Sequence, residues 1–148
     1  LPSGKEILAI FRGEDAYISP NWYPTKPIHH KHVPTWNYQV VHIYGKIYYQ
    51  NDEKSKLAAV GKLTKKMEER TNGETAWRMA DAPKDYLNAM LANIIAFRIE
   101  ITRILGKSKV SQNRETVDFE NVAKVLAERG SAHMAERMNQ ISETREEE

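Results

Sequence analysis

Hydrophobic and polar positions alternate with a period close to two along Trp36-Asn37-Tyr38-Gln39-Val40-Val41-His42-Ile43-Tyr44, which predicts a long strand. Trp36, Tyr38, Val40, His42 and Tyr44 share one face. The other face reads Asn37, Gln39, Val41 and Ile43, polar at its start and apolar by its middle. Since neither face is fully polar, this strand is expected at the centre of a sheet or barrel, with its polar beginning close to something that needs hydrogen bonds. His42, on the aromatic face, reads as a packed core histidine. Gly45 interrupts the run before Lys46-Ile47-Tyr48-Tyr49 and predicts a bulge or the bend of a closing barrel.

The same patterns place the other elements. Glu6 to Arg12 reads as a strand closed by a turn at Gly13-Glu14-Asp15, with Ala16 to Ser19 as a second short strand. Pro20, Pro24, Pro27 and Pro34 then predict an ordered or extended loop and no helix, because each proline removes a donor. After Asn51-Asp52 the period becomes about 3.6, which predicts an amphipathic helix over about 53–70. Leu57, Val60, Leu63 and Met67 form its apolar side, with Asp52 capping its start and Asn72-Gly73 ending it. A second helix over about 83–92 is announced by Asp81 as cap and Pro83 in the first turn. Tyr86, Leu87, Met90 and Leu91 are its buried stripe, and Trp77 is expected beneath the junction. From Ile95 the period returns to two: Phe97, Ile99, Ile101 and Arg103 alternate with Arg98, Glu100 and Thr102, predicting a strand with one wet face that ends at Gly106. Val117, Val122, Val125 and Leu126 mark a helix ended by Gly130, and a last helix runs from Ser131 to about Ile141. Glu143, Glu146, Glu147 and Glu148 form an acidic, frayed end. There is no internal repeat.

Composition narrows the function classes. A chain of 148 residues is one ordinary domain with enough core to need no staples. Cysteine is absent, which excludes disulfides, cysteine-based metal sites and a thiol nucleophile, and suits a reducing compartment. No apolar run approaches the ~20 residues of a membrane span. Leu1 to Lys5 also lacks the regions of a signal peptide, so a cytoplasmic protein is expected. The 22 basic and 20 acidic side chains leave a formal charge of +2, too little to announce a nucleic-acid binder. The sequence has no nucleophile elbow, P-loop, Gly-x-Gly-x-x-Gly turn or His-Glu-x-x-His.

Two segments carry candidate chemistry. Lys107-Ser108-Lys109-Val110-Ser111-Gln112-Asn113-Arg114 gathers cations, hydroxyls and amides ahead of a helix, where unpaired N–H groups favour a phosphate or carboxylate. The same composition also describes a plain helix-capping loop. Trp36, Asn37 and Tyr38 can offer a flavin a flat apolar neighbour and fixed donors, or they can be barrel core around one satisfied amide. His29, His30 and His32 have the spacing of metal ligands but lie in a proline-rich loop without a nearby carboxylate, which favours the mouth of a pocket over a metal site. The final helix pair allows a helix-turn-helix reading with Ala132 to Ile141 in a major groove. The glutamate-rich end would repel DNA phosphates, so packing or a dimer contact is the better reading.

Four blocks in order make the sequence similar to a known family. Ala16-Tyr17-Ile18-Ser19-Pro20-Asn21-Trp22-Tyr23, Val33-Pro34-Thr35-Trp36-Asn37-Tyr38, Val41-His42 with Gly45, and Ser111-Gln112-Asn113-Arg114 resemble the PaiB family of FMN-binding transcriptional regulators. The resemblance implies an α+β fold: an antiparallel FMN-binding split β-barrel over 1–114, with inserted helices at about 53–70 and 83–92, and a C-terminal helical extension over 115–148. It implies a cytoplasmic bacterial homodimer with FMN at the interface of two chains. The cofactor-binding set would be Trp36, Asn37, Tyr38, Lys107, Ser111, Gln112, Asn113 and Arg114, with no catalytic residue. Family members carry a further N-terminal segment that supplies the first barrel strands and part of the flavin pocket, so those strands are expected to be missing here, either because the chain is a shortened one with an incomplete barrel or because its first part lies outside this sequence. The implied function is negative regulation of transcription, in bacilli of sporulation and protease genes, with DNA contacted through an unidentified surface or a partner. The alternatives are a flavin-dependent oxidoreductase whose regulatory effect is indirect, and a haem-binding relative with His29, His30 or His32 as axial ligand.

Overall fold

The long central run folds as expected. In the computed structural model, which describes residues 2–145, Thr35–Tyr49 (β2) is the middle strand of a three-stranded antiparallel sheet, flanked by Glu6–Ile18 (β1) and Phe97–Lys109 (β3). The fold is α+β, as predicted, and its family fits a split barrel. Packing divides the chain into two compact units, one made of residues up to Ile7 with Tyr44–Thr102, the other of Leu8–Ile43 with Arg103 onward.

In the first unit, the helix Glu53–Asn72 (α2) begins where Asp52 accepts a hydrogen bond from the Ser55 N–H at 2.9 Å and ends at Gly73, whose φ of 55° suits glycine. The hydrogen bonds from Ser55 hold the Asp52 carboxyl below the usual carboxylate range, so the cap keeps its charge in mildly acidic solution. None of the expected apolar stripe on α2 is buried: Leu57, Leu63 and Met67 are exposed. The next helix, Lys84–Ala92 (α3), starts one residue later than expected, with Pro83 as its cap residue. Asp81 instead ends a 3₁₀ turn, Met79–Asp81, and accepts the Arg78 N–H at 2.8 Å. Of the stripe predicted on α3, Leu91 is buried and Leu87 half-buried, while Tyr86 and Met90 are exposed. Trp77 does not pack beneath the junction but is 42% exposed.

β2 runs on through Gly45, where the neighbouring strand comes close. The glycine is buried, and a Cβ there would fall inside the van der Waals shell of the Glu100 carbonyl and Ile99 Cγ2 on the neighbouring strand. Overpacking at one atom typically costs about 1–3 kcal/mol, so Gly45→Ala is expected to lower the unfolding free energy by that amount, read as a lower urea midpoint at an unchanged slope. A midpoint equal to wild type would show that the strands can separate there without penalty.

In the second unit, β1 runs straight through the predicted turn at Gly13-Glu14-Asp15. A Cβ at Gly13 would lie 3.3 Å from that of Gln39, so close pairing with β2 overrides the local turn preference. The proline-rich segment contains a 3₁₀ turn, Pro20–Trp22, and one short helix, Lys26–His29 (α1), against expectation. Pro27 is tolerated because it occupies the first turn, where no N–H partner is needed. β3 likewise passes through Gly106, where a Cβ would meet open space, and continues to Lys109.

The core of this unit lies under a helix pair, Thr116–Glu128 (α4) and Ala132–Arg145 (α5), which reverses at Gly130 with a φ of 88°. Phe119, Val122, Ala123 and Leu126 of α4 pack with Met134, Ala135 and Met138 of α5 and with Ala16, Ile18, Tyr23 and Val110. Each large side chain buried there contributes roughly 1.5–3 kcal/mol. Val117, predicted as part of the apolar face of α4, is exposed. β3 is not the one-face-wet strand predicted: Phe97, Ile101, Ile104 and Leu105 are all exposed, because the apolar core gathers around the helix pair. Backbone at Glu143 is helical, and Glu146–Glu148 lie outside the described residues.

Candidate functional site

The polar start of β2 meets the polar end of β3, and the hydrogen bonds anticipated there exist. Asn37 is fully buried, and its Oδ1 accepts the Ser111 hydroxyl at 2.9 Å while its Nδ2 reaches Met138 Sδ at 3.6 Å. Lys109 donates its ammonium to Thr35 Oγ1 and to the Trp36 carbonyl at 3.0 Å. Gln39 Nε2 donates to Ser108 Oγ at 3.2 Å. These bonds fasten the turn after β3 to the first residues of the central strand.

The turn is itself braced. Gln112 Oε1 accepts the Val110 N–H and its Nε2 donates to the Ser108 carbonyl, both at 2.7 Å, so this side chain shapes the turn. Ser111 sits at a φ of 65°, a left-handed conformation that costs a residue with a Cβ, and its carbonyl accepts the Arg114 N–H at 2.9 Å. Lys107 belongs to β3 and not to the loop, and is exposed like Asn113. Trp36 is 53% exposed and stands edge-on to Tyr17, with ring centroids 5.8 Å apart; Tyr38 is half-buried.

Arg114 is engaged by two side chains of the proline-rich segment. Its guanidinium lies 4.8 Å from the centre of the Tyr23 ring and donates to His32 Nδ1 at 3.3 Å. Because arginine only donates, Nδ1 is the acceptor and Nε2 carries the proton, which points at Thr25 Oγ1, 2.9 Å away. The Thr25 hydroxyl in turn donates to Asp118 Oδ2 at 2.6 Å, and the Thr25 N–H to Asp118 Oδ1 at 3.0 Å. One directed chain thus runs from guanidinium through imidazole and hydroxyl to a buried carboxylate. Tyr23 stacks on His32 at 4.7 Å between ring centroids. With both ring nitrogens engaged, His32 is committed to this array and offers no nitrogen to a haem iron. His30 is exposed with a φ of 54°, and among the described residues no cluster of three His, Cys, Asp or Glu side chains could hold a metal.

Asp118 and Thr25 were not anticipated from sequence. The signal was present for Asp118, which shares the helix face of Val122 and Leu126 by the 3.6 period, an acid on an apolar stripe. This carboxylate in the first turn of α4 also makes the helix start a poor phosphate receptor, as like charges repel. Arg114 is occupied elsewhere.

The residues available to a flavin are therefore of two kinds. Trp36, Lys107 and Asn113 present an aromatic ring, a cation and an amide at the surface of neighbouring segments, a donor set that fits an isoalloxazine ring and a phosphate. Asn37, Ser111, Gln112 and Lys109 spend their polar groups holding those segments in place.

Comparison with known proteins bears on the family and its cofactor. Residues 1–103 match a family model described as "Putative FMN-binding domain". The chain is 35% identical to the protease synthase and sporulation protein PAI 2 of Bacillus subtilis, over 82% of this chain and 55% of that protein. It is 36% identical to an uncharacterized protein of Aspergillus fumigatus, over 79% of this chain and 50% of that protein. A shorter stretch, 47% of this chain and 43% of the relative, is 42% identical to an uncharacterized protein of Saccharomyces cerevisiae. The chain spans about half the length of the curated relatives it matches.

Proposed function

The chain belongs to the FMN-binding domain family, with the PaiB proteins, and from that premise we propose that it binds FMN at the joined ends of β2 and β3 and acts as a negative regulator of transcription. Bound FMN supplies a ring that can take up or release electrons. On this chain, Trp36 would lie against the ring, Asn113 would hydrogen-bond it and Lys107 would balance the phosphate. The observation that carries the reading is the Asn37–Ser111 hydrogen bond, which fixes the turn bearing Asn113 beside the strand bearing Trp36.

Sensing is favoured over turnover because the buried Asp118 carboxylate and its partners are committed to one another, the buried Tyr23 hydroxyl beside them being without a hydrogen-bond partner among the described residues. Arg114, His32, Thr25 and Asp118 form one hydrogen-bonded series, which suits a rigid receptor more than a proton relay to substrate. The sporulation name of the Bacillus relative supports the regulatory half. A homodimer would cover the exposed apolar side chains of β3, and DNA would be met by a separate surface or through a partner.

A flavin absorbance spectrum that travels with the protein through gel filtration is the expected result after mixing with FMN. Band shift with the protein's own promoter should exceed that with random DNA at moderate salt. A protein that stays colourless removes the cofactor half, and an equal shift on both DNAs removes the direct regulatory half.

A further inference from the structure

The first unit holds a cleft of about 570 Å³ between α2 and the segment that returns from its end, a volume in the range of small-molecule sites. It is a built feature. The Glu68 carboxylate accepts the Asn72 amide at 2.7 Å and the Trp77 N–H at 3.0 Å, pinning the returning segment to the last turns of the helix. The Thr75 hydroxyl adds a bond to the Asn72 carbonyl at 2.9 Å. On the helix wall Gly61 lets the Met79 thioether approach the helix, since a Cβ there would stand only 3.4 Å from Met79 Sδ.

The chemistry of the walls is uneven. One side is aromatic and thioether, Trp77 and Met79, with the indole partly open to solvent. The other carries Glu68, Glu69 and Glu74. The two bonds that Glu68 accepts hold its carboxyl below the usual range, so it stays charged at any physiological pH. Of the two cations at the rim, Lys65 is already opposite Glu69 at 3.8 Å, which leaves Arg78 against the two carboxylates of Glu68 and Glu74. An anion such as the FMN phosphate is disfavoured there. A cation over an indole face beside fixed carboxylates is attracted by both.

We propose that this cleft binds a small organic cation, an ammonium group carrying a compact apolar or aromatic body, at a site separate from the flavin residues. The ammonium lies over Trp77 and toward Glu68 and Glu74, and the body lies against Met79.

Calorimetric titration with phenethylammonium tests this, with phenethyl alcohol and phenylacetate as the neutral and anionic counterparts. Saturable binding of the cation, at least about tenfold tighter than either counterpart, is expected. Trp77→Ala, which removes the ring but keeps the backbone bond to Glu68, should weaken it about tenfold while melting and FMN retention stay as in wild type. No saturable binding, equal binding of the three probes, or binding untouched by Trp77→Ala would overturn the proposal.

Discussion

Replacing Asp118 with alanine should destabilise the protein more than any other single polar change in the second unit. The carboxylate is 1% exposed and accepts both the N–H and the hydroxyl of Thr25, so its loss leaves two buried donors without partners. Each orphaned donor costs about 1–3 kcal/mol. The cationic Arg114, linked through His32, also loses the counter-charge at the far end of the chain of bonds. A total near 3 kcal/mol is expected, which for a chain of this size lowers the melting temperature by about 6–12 °C. Asp118→Asn keeps one acceptor and should lose about half as much. Glu120→Ala, at an exposed position of the same helix, should stay within about 0.5 kcal/mol of wild type. Differential scanning calorimetry of the three variants decides the matter. If Asp118→Ala melts with Glu120→Ala, the segment from Tyr23 to His32 is seated by its apolar contacts alone.

This array shows where reading the sequence succeeds and where it stops. Periodicity placed β2 at the centre of the sheet, because aromatic and β-branched residues on both faces leave no side for water. Local capping chemistry gave both ends of α2, from Asp52 to Gly73, since a cap is decided within four residues. Burial on α2 and β3 was not legible. Leu63 and Ile101 stand where a core would want them, yet the described chain brings nothing over them, and that depends on distant partners rather than on spacing. Glycine was the other source of error. Gly13 and Gly106 read as punctuation, but each lies inside a strand, where pairing with a neighbour outweighs a local preference for turning.

The candidate site was legible in parts list but not in roles. Asn37 and Ser111 were both expected near a ligand, 74 residues apart in sequence, and the fold does join them. What sequence could not show is that they face each other. An amide that is fully buried and bonded to a hydroxyl and a thioether is a fastening, and the side chains left for solvent are its neighbours Trp36 and Asn113. The same holds for Arg114, whose place in a polar loop suggested a phosphate and whose fold gives it an imidazole and a phenol ring.

Asn37→Ala should therefore abolish most FMN affinity without touching the flavin. The variant orphans the Ser111 hydroxyl at a residue already held at a φ of 65°, where the side-chain bond helps offset an unfavourable backbone. Freed of it, the turn from Val110 to Arg114 can relax to a commoner conformation and carry Asn113 away from Trp36. Removing the bond is worth about 1–3 kcal/mol, so FMN titrated by quenching of its fluorescence should bind about 10- to 100-fold more weakly. Ser111→Ala should do the same, and the double variant should be no worse than either, a coupling of at least about 1 kcal/mol. Ser111→Gly separates the two effects, since glycine accepts the backbone conformation and lacks only the hydroxyl; it should retain more affinity than Ser111→Ala. Trp36→Ala removes a ring contact worth about 0.5–1.5 kcal/mol and should add its loss to that of Asn37→Ala, because the first acts on the flavin and the second on the turn. Wild type that binds FMN while Asn37→Ala binds it equally well would place the flavin away from this junction. In that case the exposed apolar side chains of β3, Ile104 and Leu105 among them, become the next surface to test by substitution.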